Sequence, residues 1–353
     1  MHISLFTLAD SAASYGQFQR SSTDILKGLP ELAVAAEASG FHGIWLPEHH
    51  GTSFCMLPTP GTLLGYMAAK TSTIRLGAAC VVMPLNQPLR VAGEYAVLDQ
   101  LSGGRVSMSI GRGYDQVEYE CLGVSFDKSR DLLREGTMLM IEAWKGKPFT
   151  FAGPHYPVPH EFELNQLPVQ NPHPELFFAM WSKGTLEMAA ELGLGAMFTP
   201  FAASMSFGGL AGAVDTFKAL CSVNGHSAPQ KTSCSYYCAL SETQGEADKH
   251  KARLLRLLKA LLPALPSKDA KLPPHFEYLK DVARRLDELT LEGITDTSIA
   301  AGAPEHVIAV LERARAAGID EVLLNLDFGG LSLEETRKQV ELVSKHIIPH
   351  FSR

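Results

Sequence analysis

The sequence predicts a (β/α)8 TIM barrel with insertions after strands 4 and 7. Three observations lead there. Short apolar runs alternate with helical periodicity along the chain as eight strand–helix units in series, which implies parallel strands joined by helical crossovers. No GxGxxG follows the first strand, which speaks against a doubly wound dinucleotide-binding sheet. The 353 residues hold a barrel of about 250 residues with roughly 100 left for insertions. No composition shift marks a boundary, so residues 1–353 are expected to form one barrel domain.

The elements follow in order. His2–Leu8 reads as a strand and Asp24–Ser39 as a helix stopped by Gly40. Gly43–Leu46 is the second strand, with Thr62–Lys70 its small-residue helix. Ile74–Val82 is the third, followed by the helix Arg90–Gln100 and the turn Ser102-Gly103-Gly104. Arg105–Ile110 and Ser129–Trp144 make the fourth unit. Residues 147–174, rich in Pro, aromatics and His, read as an excursion containing a hairpin. Leu176–Met180 with Thr185–Leu192, Ala196–Thr199 with Gly212–Val223, and Thr232–Ser241 with Glu246–Leu262 are units five to seven. Residues 265–300 carry Pro clusters and one helical piece, Phe276–Leu289, and form a candidate lid. After the helix Pro304–Ala317 comes the last strand, Glu321–Leu326, and the helix Ser332–His346, whose Ser332 and Glu335 have capping-box spacing.

Composition narrows the function classes. Hydrophobic residues at 46% and charged residues at 20% exclude bulk disorder. The 31 Lys+Arg against 38 Asp+Glu form no block of like charge, so no nucleic-acid partner is expected. No apolar run reaches the ~18–20 residues that span a bilayer. The opening MHISLFTLADS lacks the basic and apolar regions of a signal peptide. Six scattered cysteines read as buried free thiols, and a cytoplasmic location is expected.

A barrel builds its site after the C-terminal ends of its strands. Four such ends carry chemistry. They are Pro47-Glu48-His49-His50, Val82-Met83-Pro84, Gly111-Arg112-Gly113-Tyr114-Asp115 and Trp181-Ser182-Lys183-Gly184-Thr185. The last opens a helix with Ser, Gly and Thr, and its free N–H groups suit an anion. Ordinary capping explains that segment equally well. Arg112, set between glycines, adds a guanidinium that can grip a phosphate, against the competing reading of a structural ion pair. Adjacent His49 and His50 point to opposite sides of a strand end, and neither HxH nor HExxH occurs, so no metal is expected. His49 at a barrel strand end suits acid–base or substrate-orienting work.

Together these residues resemble the bacterial luciferase-like flavin-dependent monooxygenase family. The matching stretches are Ala36–His50, Thr73–Pro88, Leu98–Gly123, Ala179–Gly193 and Gly302–Leu324. The resemblance implies a reduced-FMN-dependent enzyme that activates O2 as a C4a-peroxyflavin and oxygenates a small organic substrate. It implies a separate flavin reductase supplying FMNH2. Arg112, Ser182 and Thr185 match the family's FMN-phosphate residues, and His49 its active-site histidine. Glu118 matches an acidic residue near the site. Ala79 and Cys80 match the segment lining the isoalloxazine, where a non-proline cis peptide occurs. Gly111 stands where the luciferase catalytic chain has a cysteine, Trp181 where it has a glutamate, and Gly93 where an acidic residue is usual. These departures leave the flavin site intact and point away from light emission and an aldehyde substrate. The alternatives are an F420-dependent oxidoreductase of the same family and a non-catalytic flavin-binding subunit. A homodimer is expected through the helices Thr62–Lys70 and Arg90–Gln100, whose small residues allow close approach.

Overall fold

The computed structural model describes residues 1–11, 20–226, 230–267, 269–272 and 276–352. Lys268 and residues 273–275 of the candidate lid lie outside the described residues. Eight parallel strands close a barrel: β1 (His2–Phe6), β2 (Gly43–Leu46), β3 (Arg75–Val82), β4 (Val106–Gly111), β7 (Glu175–Met180), β8 (Gly195–Phe198), β9 (Thr232–Leu240) and β11 (Glu321–Asn325). They pair in that order; β11 returns onto β1, placing Asn325 opposite Phe6, and β8 pairs with β9. The barrel and its strand order match the expectation.

Side-chain alternation fills the interior in layers. Trp45, Phe177, Met197 and Leu323 form one layer, with Phe6 and Ala79 packed against it. Gly77 makes room for Trp45, since a Cβ there would stand 2.1 Å from the indole. Below this layer Glu321 accepts hydrogen bonds from Ser4 and from Trp45 Nε1, so the buried carboxylate is paired. A second, larger core lies between the strands and the outer helices.

The outer helices include α1 (Ser22–Ala38), α2 (Pro60–Ala68), α3 (Pro88–Ser102), α5 (Ser129–Ala143), α6 (Lys183–Leu192), α8 (Leu210–Val223), α11 (Pro304–Ala316) and α12 (Leu333–His346). Their ends follow local signals. Gly103 caps α3 in the left-handed conformation, and Ser332 with Glu335 makes the expected capping box at α12. Arg105 fastens the turn after α3 to Ala68, Thr71 and Ile74.

Both insertions differ in detail from the sequence reading. The hairpin forms, as β5 (Phe149–Phe151) and β6 (Val158–Phe162), but it follows α5 and packs on the outside of that helix. Buried Glu135 of α5 accepts from the backbone of His155 and Tyr156. The hairpin therefore stands on a helix-to-strand connection and contributes no residue to the cavity described below. In the seventh unit α9 (Gln244–Ala260) is not the wall helix expected. It leads with α10 (Tyr278–Asp287) into a short strand, β10 (Ile299–Gly302), which extends β9 in parallel. The helix after β10, α11, packs beside α8 instead. The excursion thus begins directly after β9, on the strand-to-helix side. Four residues, Ile-Ala-Ala-Gly, carried too little pattern to reveal β10. Two further short helices, α4 (Gln116–Cys121) and α7 (Pro200–Phe207), also went unread. Among the cysteines, Cys121 is exposed and Cys80 half-buried, while the other four are buried as expected.

Candidate active site

A cavity of about 260 Å³ opens at the C-terminal ends of the strands. Its near side is built from three consecutive strands, β3, β4 and β7, which present Ala79, Gly111 and Ala179. These small residues form a shelf. A Cβ on Gly111 would stand 2.2 Å from Cys80 Sγ, so glycine is required for the close approach of the two strands. The Ala79–Cys80 peptide is cis, as the resemblance implied, and strand pairing with β4 shifts there. Desolvation pushes the Cys80 thiol up to about 12, which favours its protonated form.

His49 lies beside the shelf. Its Nδ1 is 2.8 Å from Glu118 Oε1, which also accepts the backbone N–H of His50 at 3.0 Å. An oxygen already accepting one N–H takes a second from His49, which makes Nδ1 the donor of this pair. Among the described residues Nε2 has no protein partner. Phe54 and Tyr114 hold the ring from two sides, and Tyr114 stacks on Trp181 with centroids 5.5 Å apart. Glu118 is buried at 2% side-chain exposure, and its Oε2 has no partner among the described residues. The sequence placed Glu118 only near the site; the fold brings it onto His49 from α4.

Glu48 faces the other way. It accepts the backbone N–H of Val82 and the amide of Asn86, joining the ends of β2 and β3, and it holds His50 Nε2 at 3.0 Å. The two histidines therefore have separate carboxylate partners, as expected for adjacent side chains on opposite sides.

Beside the shelf a smaller space of about 160 Å³ is lined by Arg112, Arg130, Leu133, Ser182, Gly184 and Thr185. Ser182 caps α6: its Oγ accepts from Thr185 N–H and lies 3.0 Å from Thr185 Oγ1. Gly184 admits the Arg130 guanidinium, which a Cβ would meet at 2.4 Å. Neither arginine has a carboxylate within ion-pair distance among the described residues, which removes the structural ion pair as a reading of Arg112. Arg130, at the start of α5, escaped the sequence reading because nothing local distinguishes it from a solvated helix arginine.

The candidate lid reaches this place. Arg112 Nη2 donates to Tyr278 Oη at 2.9 Å, and its guanidinium lies 3.9 Å from the Phe276 ring centroid. Tyr278, Val282 and Leu286 of α10 line the cavity, together with Thr297 and Ser298. Every residue singled out from the sequence for the flavin site faces one of these two connected spaces, except Glu118, which acts on His49 from behind.

The fold and this site define a flavin-type barrel oxidoreductase. The luciferase-like monooxygenase family model matches residues 1–321. The chain belongs to that family of luciferase-like monooxygenases. It is 31% identical over 202 residues to the oxygenase component of flavin-dependent trigonelline monooxygenase from Acinetobacter baylyi, which is 57% of this chain and 54% of that protein. The match thus spans about half of that relative. Monooxygenase RslO1 from Streptomyces bottropensis superposes with a TM-score of 0.80 at 24% identity, over 99% of this chain and 100% of that one. The oxygenating constituent of 3,6-diketocamphane monooxygenase from Pseudomonas putida, in complex with FMN, gives 0.75 at 17% identity, over 99% and 98%. At these identities the structural likenesses show the fold. No helix among the described residues is long and apolar enough to cross a membrane.

Proposed function

We propose that this protein is the oxygenating component of a two-component monooxygenase that takes reduced FMN from a separate flavin reductase. The observation that carries this reading is the pair of arginines, Arg112 and Arg130, converging on the Ser182–Thr185 helix start with no carboxylate partner among the described residues. A dianionic phosphate satisfies both guanidinium groups and the free N–H groups of α6 at once. The Ala79–Gly111–Ala179 shelf beside it fits a flat ring system. Reduced FMN, when bound, supplies the electrons that activate dioxygen.

The chain's own groups do the rest. His49, oriented by Glu118, is placed to give or take a proton at Nε2 on the cavity side. Leu258 of α9 and Leu261 just beyond it, with Val282 and Leu286 of α10, make an apolar roof that keeps water from the reacting atoms. Residues 265–300 act as the lid of the single barrel domain, and Tyr278 links that lid to the phosphate subsite. A paired His49 and Glu118 favour a catalytic chain over a binding-only subunit. The trigonelline relative, named as an oxygenase component, supports the reductase partner. Two copies are expected to pair through α2 and α3, whose outer faces leave Tyr66, Val97 and Leu101 exposed at 55%, 43% and 73%.

Flavin choice tests the reading. Reduced FMN should bind tighter than reduced riboflavin, because each charge-assisted phosphate bond is worth about 1.5–3 kcal/mol. Arg112→Ala should weaken FMN by about tenfold or more and change riboflavin little. Anaerobic titration that gives equal affinities for FMN and riboflavin in the wild type overturns the phosphate assignment. Preferential binding of F420 would move the enzyme to the oxygen-independent branch of its family.

A further inference from the structure

The far side of the cavity holds polar groups for which the flavin reading has no use. Asn325 ends β11, pairing in register with Phe6 of β1 and Tyr237 of β9. β11 lies four strands from β4 in the closed order, so Asn325 stands across the barrel from Gly111 and the shelf. It continues the inward column of Glu321 and Leu323, one layer higher. The residue is 2% exposed, lines the cavity, and neither its Oδ1 nor its Nδ2 has a partner among the described residues. Ser298, 7% exposed and also lining the cavity, has an equally unpartnered Oγ. Buried polar atoms are nearly always paired, and leaving them unpaired is costly. Three such atoms thus belong to residues in the wall of one cavity.

We propose that Asn325, assisted by Ser298, is the substrate-recognition subsite of the monooxygenase reading above, and that it selects an uncharged, mostly apolar molecule bearing a carboxamide or lactam group. A side-chain amide offers one acceptor and a donor, and another amide is the group that satisfies both together. A ketone satisfies only Nδ2. A carboxylate would place its charge against Oδ1, and no lysine or arginine besides Arg112 lines the cavity among the described residues. The surrounding Phe6, Leu8, Met197 and Leu323 accept the apolar body.

Calorimetric titration of the FMN-loaded protein with δ-valerolactam, cyclohexanone and methylcyclohexane tests this. These six-membered rings differ in whether they offer both hydrogen-bonding functions, an acceptor only, or neither. Asn325→Leu should weaken the lactam by about tenfold or more, the ketone by less, and the hydrocarbon not at all. Asn325→Ala, which leaves space rather than bulk, should give the same order, so the test survives a leucine variant that fails to fold. Reduced-FMN affinity should stay within about twofold, and the melting temperature of the ligand-free variant should not fall, because an unpaired amide has been removed. Three results overturn the proposal: no lactam binding to the wild type, equal weakening of all three probes, or loss of FMN affinity. The last would assign Asn325 to the flavin's pyrimidine edge. Repeating the series without flavin separates the two readings. The lactam order depends on Asn325, whereas discrimination of FMN from riboflavin depends on Arg112.

Discussion

The two sides of the cavity are built by different means. The side formed by β2, β3, β4 and β7 is tightly specified, with Arg112 and His49 beside a shelf whose Gly111 leaves no room for a Cβ. Each of its buried carboxylates holds a histidine: Glu118 through Oε1 on His49, and Glu48 on His50 as well as on Val82 and Asn86. The side formed by β9, β11 and the lid mixes apolar and hydroxyl-bearing residues, and its polar atoms at Asn325 and Ser298 have no partners among the described residues. The contrast divides the labour. A cofactor common to a family calls for fixed donors and a fixed shape, while a substrate calls for a pocket whose few polar groups wait for it.

The largest expected effect breaks the cofactor side without emptying it. His49→Ala should bind reduced FMN within a few fold of the wild type, because the phosphate contacts are elsewhere. It should nevertheless lower product formed per flavin oxidised, with the rate of oxygenation falling about 10²–10⁴-fold, the usual worth of a general acid or base. Hydrogen peroxide release measured beside product would report the lost coupling. Glu118→Gln should do less, since its side-chain oxygen can still accept from both His49 and His50. Full coupled turnover by His49→Ala would reduce the residue to packing between Phe54 and Tyr114.

The same division governed what could be read in the sequence. The cofactor side lies in short contiguous motifs at strand ends, such as Gly111-Arg112-Gly113 and Trp181–Thr185, so each motif shows its chemistry locally. Arg130 and the pairing of Glu118 with His49 needed the fold, because α5 and α4 deliver them from the side. The substrate side is scattered over Phe6 of β1, Ser235 and Tyr237 of β9, Ser298 before β10 and Asn325 of β11, with no contiguous motif among them. Asn325 sits at the end of an ordinary buried strand, and only closure of the barrel sets its amide across from the shelf. The seventh unit misled for a related reason. The long amphipathic α9 reads as a barrel wall helix, whereas its Leu258, and Leu261 just past its end, line the cavity. Periodicity reports that a helix has an apolar face and not which core that face meets.

Outside the barrel the cofactor side is again distinctive, for α2 and α3 stand behind it. A Cβ on Gly65 would meet nothing within 4 Å, so that position faces open space. Gly93 is less open, with Leu164 Cδ1 at 3.9 Å. A homodimer through this surface repeats each contact twice. Gly65→Trp should therefore move the protein toward monomer in light scattering at micromolar concentration, with a weaker effect for Gly93→Trp. A monomeric wild type would refute the dimer. A dimer indifferent to both substitutions would place its interface elsewhere.

The smallest expected effect concerns the joint between β2 and β3 that supports the shelf. The hydrogen bond to Glu48 raises the His50 pKa above its ordinary value; burial opposes this, and the charges of Glu48 and Glu118 reinforce it. With the folded value above the unfolded one, near 6.5, protonated His50 stabilises the fold fully below about pH 6.5. That contribution disappears as the pH rises through the folded value. The pair is partly exposed on the histidine side, at 23%, so its worth should stay near the ~1 kcal/mol of a surface ion pair. His50→Gln keeps a donor for Glu48 without the charge. The difference in melting temperature between wild type and His50→Gln should shrink as the pH is raised from about 6 to above the folded value. Ser298→Ala, on the other side of the cavity, should show no such trend. A constant difference for His50→Gln across that range would mean that the histidine contributes its hydrogen bond to Glu48 and not its charge.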